Sequence, residues 1–490
     1  SQLLEMKSLI KEINIINEGT IQFPILPNGS GWKSTEKEKL SVIESGEGKV
    51  LFSKIIKAIE SAKQMVCLQS FLIQDTEIID ALIRAVKERE VRVFVLSSAE
   101  ARLKETIEEE DDFIKANYIQ LLDGKFKNHF VHRTAENFHG KYILIDPKTK
   151  PKGFICTNNF TENGFTKNPE LAVELNNEQC EELFKLFVYH FWEHSTDEQT
   201  ATNEFAKVKP VNKFSLPKLD NILLTSPNSK GNSLNKTLLA AINKAEKTIS
   251  FSTFQLDKNT ELVKAITDKA KQNVSVTLFC RPIEKQFNEQ LKELLETGVQ
   301  TYFHPLTHSK SLLIDSKDGF VFTANLVANG LDNGLEVGVK LNDEQTKDLA
   351  IIHQSWQDNF SIKAIKVANV KDLKVIQVFK DRKLTAKNLI DDTKAESRKI
   401  VKVADLFSFF NQKFDIKDLS TKTLKVKLTA EIEDLPAKYK ANGADKFEVI
   451  EVEEDKGKKT KLVVIKSKFE INDIDKIQEW KDLKIYSANA

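Results

Sequence analysis

At 490 residues the chain exceeds the roughly 250 to 300 residues at which one hydrophobic core stops growing, so two or three folded units are expected. A hydrophobic fraction of 40%, a charged fraction of 30% and only 17 Gly and 11 Pro exclude a chain dominated by disorder. The balance of 73 Lys and Arg against 72 Asp and Glu leaves a net charge of +1, which neither marks a general polyanion binder nor excludes one with a local basic groove.

In chain order, residues 1–44 read as an N-terminal extension. Its segment from Gly29 to Ser34 hints at a phosphate loop, but Trp32 separates Gly31 from Lys33 and the spacing fails. Residues 55–63 carry a helical pattern that runs into a strand-like stretch at 65–71. A second helix follows at about 77–88 and an alternating β-branched strand at 91–96. The acidic run at 108–112 reads as a solvated face. Next come Lys125, Lys127, His129, His132 and Arg133, with Phe126 and Phe130 interleaved, then His139, Lys141 and Asp146 in the pattern His-x-Lys-x4-Asp. Thr157 and Asn159 lie on the next strand, and Glu170 is eleven residues beyond Asn159. A helix opening near Gln179 and carrying Trp192 closes this half. The polar stretch at 195–217, with two prolines, reads as a linker.

The second half repeats the first. Helix, strand, helix and strand recur at 238–246, 248–254, 261–272 and 274–279, and His308, Lys310 and Asp315 repeat the motif. Thr323 and Asn325 follow, with Glu336 again eleven residues after the Asn, and then a helix with Trp356. Residues 45–200 and 215–366 are therefore expected to be two α/β lobes of one design. Residues 370–490, with strands expected at 424–428, 447–452 and 462–465, read as a small α+β appendage.

Within a strand, residues two apart face the same side, so each motif sets a histidine beside a lysine. The ammonium can offset charge on phosphate oxygens, and the asparagines can add neutral hydrogen bonds. A neutral imidazole can attack phosphorus and a protonated one can assist a leaving oxygen. One histidine supplies half of that chemistry and two facing each other supply both halves. Glu170 and Glu336 are the candidates to bond the far ring nitrogens and fix the tautomers. Thr157 and Thr323, with Lys125, Lys127 and Arg133, are the candidate substrate-binding residues.

At both motifs the chain resembles the phospholipase D superfamily, whose signature is HxKx4D followed by Gly-Ser-x-Asn. Here Cys156-Thr157 and Phe322-Thr323 replace Gly-Ser, and the first copy has a longer turn after Asp146. The resemblance implies two similar α/β lobes, mixed sheets flanked by helices around a pseudo-twofold axis. It also implies a metal-independent, two-step phosphoryl transfer without a cofactor, through a covalent phosphohistidine. By the same analogy His139 is the nucleophile, His308 the general acid and then base, and Asp146 and Asp315 steady the lysines and loops.

The motif reads only the phosphodiester. The basic and aromatic cluster before His139 favours a nuclease acting on a nucleic-acid strand, with a phospholipid-acting enzyme as the alternative and a non-enzymatic binding module as the third reading. The sequence His190-Phe191-Trp192-Glu193-His194 spells a zinc-peptidase pattern but lacks a third ligand and a counterpart in the second half, so no metal site is expected. The four cysteines, without CxxC spacing, read as reduced buried thiols. No apolar run approaches the roughly 20 residues of a membrane span, and no signal-peptide pattern opens the chain, so a cytoplasmic location is expected.

Overall fold

The computed structural model describes residues 20–23, 31–34, 41–99, 128–201, 204–209, 211, 214–227, 232–281, 287–304, 306–360, 362–364, 374–377, 400–402, 447–454 and 458–465. Both lobes belong to one compact unit, 29–281 with 290–366.

The first lobe starts with β1 (Val42–Glu44), α1 (Val50–Ser61), β2 (Met65–Gln69), α2 (Thr76–Arg89) and β3 (Arg92–Ser98). After β4 (Phe130–Ala135) come β5 (Tyr142–Ile145), β6 (Lys152–Cys156), the short α3 (Glu162–Thr166), β7 (Leu171–Glu174) and α4 (Asn177–Tyr189). A hairpin of β8 (Asp197–Ala201) and β9 (Glu204–Lys207) completes it. The second lobe comprises β10 (Leu223–Thr225), α5 (Ser233–Asn243), β11 (Thr248–Thr253), α6 (Glu261–Lys271), β12 (Ser275–Cys280), α7 (Lys292–Glu296), β13 (Gln300–Phe303), β14 (Ser311–Ile314), β15 (Asp318–Phe322), β16 (Glu336–Lys340), α8 (Asp343–Asn359) and β17 (Ile362–Ala364).

Strand order makes the duplication explicit. The first sheet runs β9-β8-β4-β3-β2-β5-β6-β7-β1 and the second β10-β16-β15-β14-β11-β12-β13-β17. Read from opposite ends, eight strands correspond one to one. In each lobe the strand–helix–strand unit pairs in parallel, β2 with β3 and β11 with β12, whereas the motif strands β5 and β14 pair antiparallel to β2 and β11. Parallel strands need covering helices, and α1 and α2 present apolar stripes to the first sheet, with Ile55, Ile59, Ile79, Leu82 and Val86 buried. The helices α4 and α8 begin with the same capping box, Asn176 with Gln179 and Asn342 with Gln345, which satisfies two otherwise unpaired backbone donors at each start.

Two boundaries differ from the sequence reading. Residues 42–44, expected in the extension, pair with β7 as an edge strand of the first lobe. The stretch at 195–217, expected as a linker, contains the β8–β9 hairpin, and β8 pairs with β4. Its polarity reflects a sheet edge, where side chains meet water.

The lobes share one core. A single buried cluster contains Phe138, Tyr142 and Phe187 of the first lobe and Leu335, Val337 and Trp356 of the second. Polar pins add to it. Glu44 accepts hydrogen bonds from the indoles of Trp356 (2.6 Å) and Trp32. Asp348 of α8 accepts from the amide and hydroxyl of Ser41.

In the other unit, Phe447–Glu454 and Lys458–Ile465 form an antiparallel hairpin, with Ile400–Lys402 on its edge. Two of the three strands expected there are thus present, and residues 424–428 lie outside the described residues. Thr20–Phe23 pairs in parallel with Lys374–Gln377. Among the described residues no helix is long and apolar enough to cross a membrane.

Candidate active site

Each motif enters its strand through an extended backbone, and the lysine side chain folds back onto the histidine two residues earlier. Lys141 Nζ lies 3.1 Å from Nδ1 and 3.3 Å from Nε2 of His139 and donates to the His139 carbonyl. Lys310 repeats this at 2.9 and 3.1 Å from the nitrogens of His308. Near-equal distances to both ring nitrogens put the ammonium against the ring face. Both lysines are fully buried.

The carboxylates come from the opposite lobe. His139 Nδ1 meets Glu336 Oε1 at 2.6 Å, and His308 Nδ1 meets Glu170 Oε1 at 2.7 Å. An approximate twofold relation between lobes requires such an exchange to be mutual. With Nδ1 engaged, Nε2 is the ring nitrogen left for chemistry. The histidines keep 27% and 16% side-chain exposure, and the glutamates 3% and 1%.

Behind each carboxylate stands a threonine. Thr157 Oγ1 donates to Glu170 Oε2 at 2.6 Å and accepts from the Leu171 amide, and Thr323 Oγ1 donates to Glu336 Oε2 at 2.6 Å and accepts from the Val337 amide. Both threonines are buried, and their hydroxyls face the glutamates. The sequence reading made them substrate contacts, whereas the structure makes them carboxylate holders.

Asp146 and Asp315 also differ from expectation. Neither carboxylate approaches its motif lysine. Asp146 accepts from the amides of Lys63, Gln64 and Met65 at 2.8 to 2.9 Å, and Asp315 from those of Glu246, Lys247 and Thr248 at 2.7 to 2.9 Å. Each sits just past its strand with positive φ, 47° and 51°, a conformation that Asp tolerates better than most residues. They tie the ends of β5 and β14 to the starts of β2 and β11.

Electrostatics couples the buried groups. Burial pushes His139 down, with Lys141 and Lys310 adding to the effect and Glu336 opposing it. His308 is pushed down to about 3 by burial, with Lys310 and Arg281 assisting and Glu170 opposing. Burial lowers Lys141 to about 8 against the pull of the two glutamates, and pushes Lys310 well down. Burial alone would raise Glu170 and Glu336, but the histidine, lysine and threonine that each one meets outweigh it and keep both carboxyls low.

His139 and His308 line one cavity of about 290 Å³, together with Asn159, Asn325, Phe71 and Phe254. The Oδ1 atoms of both asparagines are buried without a hydrogen-bond partner. Phe71 packs on His139 and Phe254 on His308, with ring centroids 5.3 and 5.0 Å apart. The cavity therefore holds two imidazoles, two amides and two aromatic walls above a buried pair of ammonium groups.

A family model described as "Cardiolipin synthase, PLD-like domain" matches residues 55–194 and 238–362, more than half of the chain. The chain belongs to the phospholipase D-like family. It is 29% identical over 153 residues to "Cardiolipin synthase A" of Buchnera aphidicola subsp. Baizongia pistaciae (strain Bp), covering 29% of this chain and 31% of that protein. It is also 29% identical over 147 residues to the protein of the same name from Buchnera aphidicola subsp. Schizaphis graminum (strain Sg), covering 28% of this chain and 30% of that one. The matches span under a third of either relative. The phosphatidylserine synthase of Haemophilus influenzae Rd KW20 has the same fold, with a TM-score of 0.52 at 14% identity over 69% of this chain and 89% of that one.

As a phospholipase D-like protein, the chain brings His139, Lys141, Asn159, Glu170, His308, Lys310, Asn325 and Glu336 together. Arg133 is elsewhere: its guanidinium donates to Glu198 at 2.8 Å and to the Phe191 carbonyl at 2.9 Å. Lys125 and Lys127 lie outside the described residues. Among the described residues no group of three or more His, Cys, Asp or Glu could hold a metal ion. His190 is buried beside Phe138. The sequence reading missed Phe71 and Phe254, although superposing the repeats puts one on the other, each two residues beyond the paired Gln69 and Ser252. It also missed the Leu335 carbonyl, which accepts from the amides of His139 (3.3 Å) and Gly140 (2.8 Å) and so fixes the first motif against the second lobe.

Proposed function

We propose that this site transfers or hydrolyses the phosphodiester of a phospholipid. The exchange of carboxylates between lobes, His139 with Glu336 and His308 with Glu170, carries the reading. It sets two imidazoles with equivalent Nε2 atoms on one cavity.

His139 Nε2 attacks phosphorus, forming an N–P bond as the bond to the leaving alcohol breaks, and His308 gives its Nε2 proton to the departing oxygen. An incoming alcohol or water then returns a proton to His308 and attacks phosphorus, and the N–P bond breaks. A phosphodiester anion lying against His308 favours its imidazolium and so opposes the burial that pushes this histidine down. Lys141 and Lys310 offset charge on the non-bridging oxygens, while Asn159 and Asn325 donate neutral hydrogen bonds.

The nuclease preference drawn from the sequence finds no support. The cavity is also lined by Glu136, Asn137, Gln255 and Asn329, groups that suit hydroxyls, and Arg281, which stacks on Phe254, donates to the Leu306 and Thr307 carbonyls rather than adding to a run of cations of the kind that binds a chain of phosphates. Arg133, expected in a strand-binding groove, is committed to Glu198. The relatives named cardiolipin synthase favour a lipid.

The test is to incubate the protein in EDTA with mixed micelles of phosphatidylglycerol, with single- and double-stranded DNA and with RNA, beside His139→Ala and His308→Ala. Lipid turnover that survives EDTA and disappears in both variants is expected. Cleavage of nucleic acid alone, or turnover stopped by EDTA, would overturn the proposal.

A further inference from the structure

Among the described residues three large apolar side chains are exposed: Trp192 at 36%, Phe214 at 44% and Ile351 at 46%. Two of them touch. The rings of Trp192 and Phe214 stack with centroids 6.3 Å apart and planes 15° from parallel. Isolated exposed apolar residues are ordinary, whereas a stacked pair concentrates apolar surface in one place.

The pair is held outward by its supports. Beneath it the guanidinium of Arg133 lies 4.9 Å from the Trp192 ring and 4.1 Å from the Phe191 ring. The Phe214 amide donates to Glu193 Oε1 at 2.8 Å, and the Val211 amide to the Trp192 carbonyl at 3.2 Å. These bonds strap the segment after β9 onto the turn that carries Trp192, so the aromatic face is fixed before any partner arrives.

The charge of that segment points to the partner. Between Glu204 and Asp220 the chain carries four lysines and no Asp or Glu, and Lys207, Lys209 and Lys218 lie among the described residues. Lys207 and Lys218 are 84% and 85% exposed, and their ion pairs with Asp197 and Asp220 are surface contacts of small worth. The nearby Glu193 and Glu198 accept from the Phe214 amide and the Arg133 guanidinium. Two residues before Trp192, His190 packs on Phe138, the neighbour of His139.

We infer that Trp192 and Phe214, with Lys207, Lys209 and Lys218, form the surface by which the protein rests on an anionic phospholipid bilayer. Aromatic rings settle at the level of lipid headgroups, and lysines reach the lipid phosphates while their stems lie along apolar surface. The inference rests on the lipid reading for its motive, since a bilayer-borne substrate must be met at the membrane, but its test does not depend on turnover.

The experiment floats the full chain with vesicles of phosphatidylcholine alone and of phosphatidylcholine with phosphatidylglycerol. It compares Trp192→Ser/Phe214→Ser, Lys209→Glu/Lys218→Glu, Trp192→Phe and Ile351→Ser, and measures turnover of a water-soluble short-chain phosphodiester below its micellar concentration. Binding only to the anionic vesicles is expected, weakened about tenfold or more in the first two variants and kept in the last two, with soluble turnover unchanged throughout. Should the aromatic double variant fail to fold, Phe214→Ser and the lysine variant carry the test. Wild-type protein that ignores the anionic vesicles, variants that bind as wild type, or an equal effect of Ile351→Ser would overturn the inference. If wild type binds but turns over no phosphodiester, the functional reading fails and the surface stands.

Discussion

His139, in the first lobe, has its Nδ1 2.6 Å from Oε1 of Glu336, in the second. The contact makes each lobe incomplete as a catalyst, because the group that orients its histidine belongs to the other. By analogy with a triad aspartate, whose amide replacement costs about 10⁴ in kcat, Glu336→Gln and Glu170→Gln are each expected to lower kcat by roughly 10² to 10⁴ with little change in KM. Steady-state kinetics on a short-chain lipid checks this. A change confined to KM would mean that the carboxylates bind substrate.

The threonines are expected to act through those carboxylates. Thr157→Ser and Thr323→Ser keep the hydroxyl and should keep most activity. Thr157→Val and Thr323→Val leave Oε2 of a buried glutamate without its donor, an omission that costs about 1 to 3 kcal/mol, and should lower both kcat and thermal stability. Comparing kcat and melting temperature across the four variants is the measurement.

Asp146 and Asp315 should matter for stability before chemistry. Each carboxylate takes three backbone amides, so replacement by Ala is expected to cost roughly 1 to 3 kcal/mol at neutral pH. Burial would raise the pKa of Asp315, but its three amide bonds outweigh that and lower it. A carboxyl lowered on folding stabilises above its unfolded pKa, near 3.9, and loses that contribution as pH falls through the folded value. The penalty of Asp315→Ala should therefore be full at pH 7 and shrink below about pH 4, which denaturant unfolding at several pH values would reveal.

A pH limb is expected from the motif lysines. Lys141 is lowered to about 8 by burial, and its ammonium form is the one that can offset phosphate charge. With Lys310 pushed well down too, kcat/KM of the free enzyme should have fallen by the time pH passes about 8, well below the pH near 10.4 at which an ordinary lysine titrates. A bound phosphodiester anion favours the ammonium, so the limb in kcat should lie higher. A pH–rate profile separates the two.

Much of this was legible because the chemistry is local in sequence. His and Lys stand two residues apart at the entrance to one strand, and Asn and Glu follow at equal distances in both halves, so the repeat disclosed the lobes and the inventory of the site. The exchange of carboxylates was not legible: the repeat names two histidines and two glutamates but is silent on which face each other across lobes. Arg133 looked like part of a groove because its neighbours are basic, yet on β4 it turns toward Glu198. Thr157 and Thr323, with the asparagines, were expected on the strand itself, whereas β6 ends at Cys156 and β15 at Phe322; the hydroxyl's preference for a buried carboxylate is a matter of depth. The β8–β9 hairpin was hidden by the polarity of an edge strand, and β1 by being only three residues long.

The most direct test of the account is to trap the intermediate. Wild-type protein in EDTA is mixed with phosphatidylglycerol micelles, quenched in alkali to preserve a phosphoramidate, digested and analysed by mass spectrometry. A phosphatidyl adduct on the peptide carrying His139, lost in His139→Ala, is expected. An adduct on His308 would keep the relay and reverse its direction. Lipid turnover with no adduct on either histidine would contradict the account.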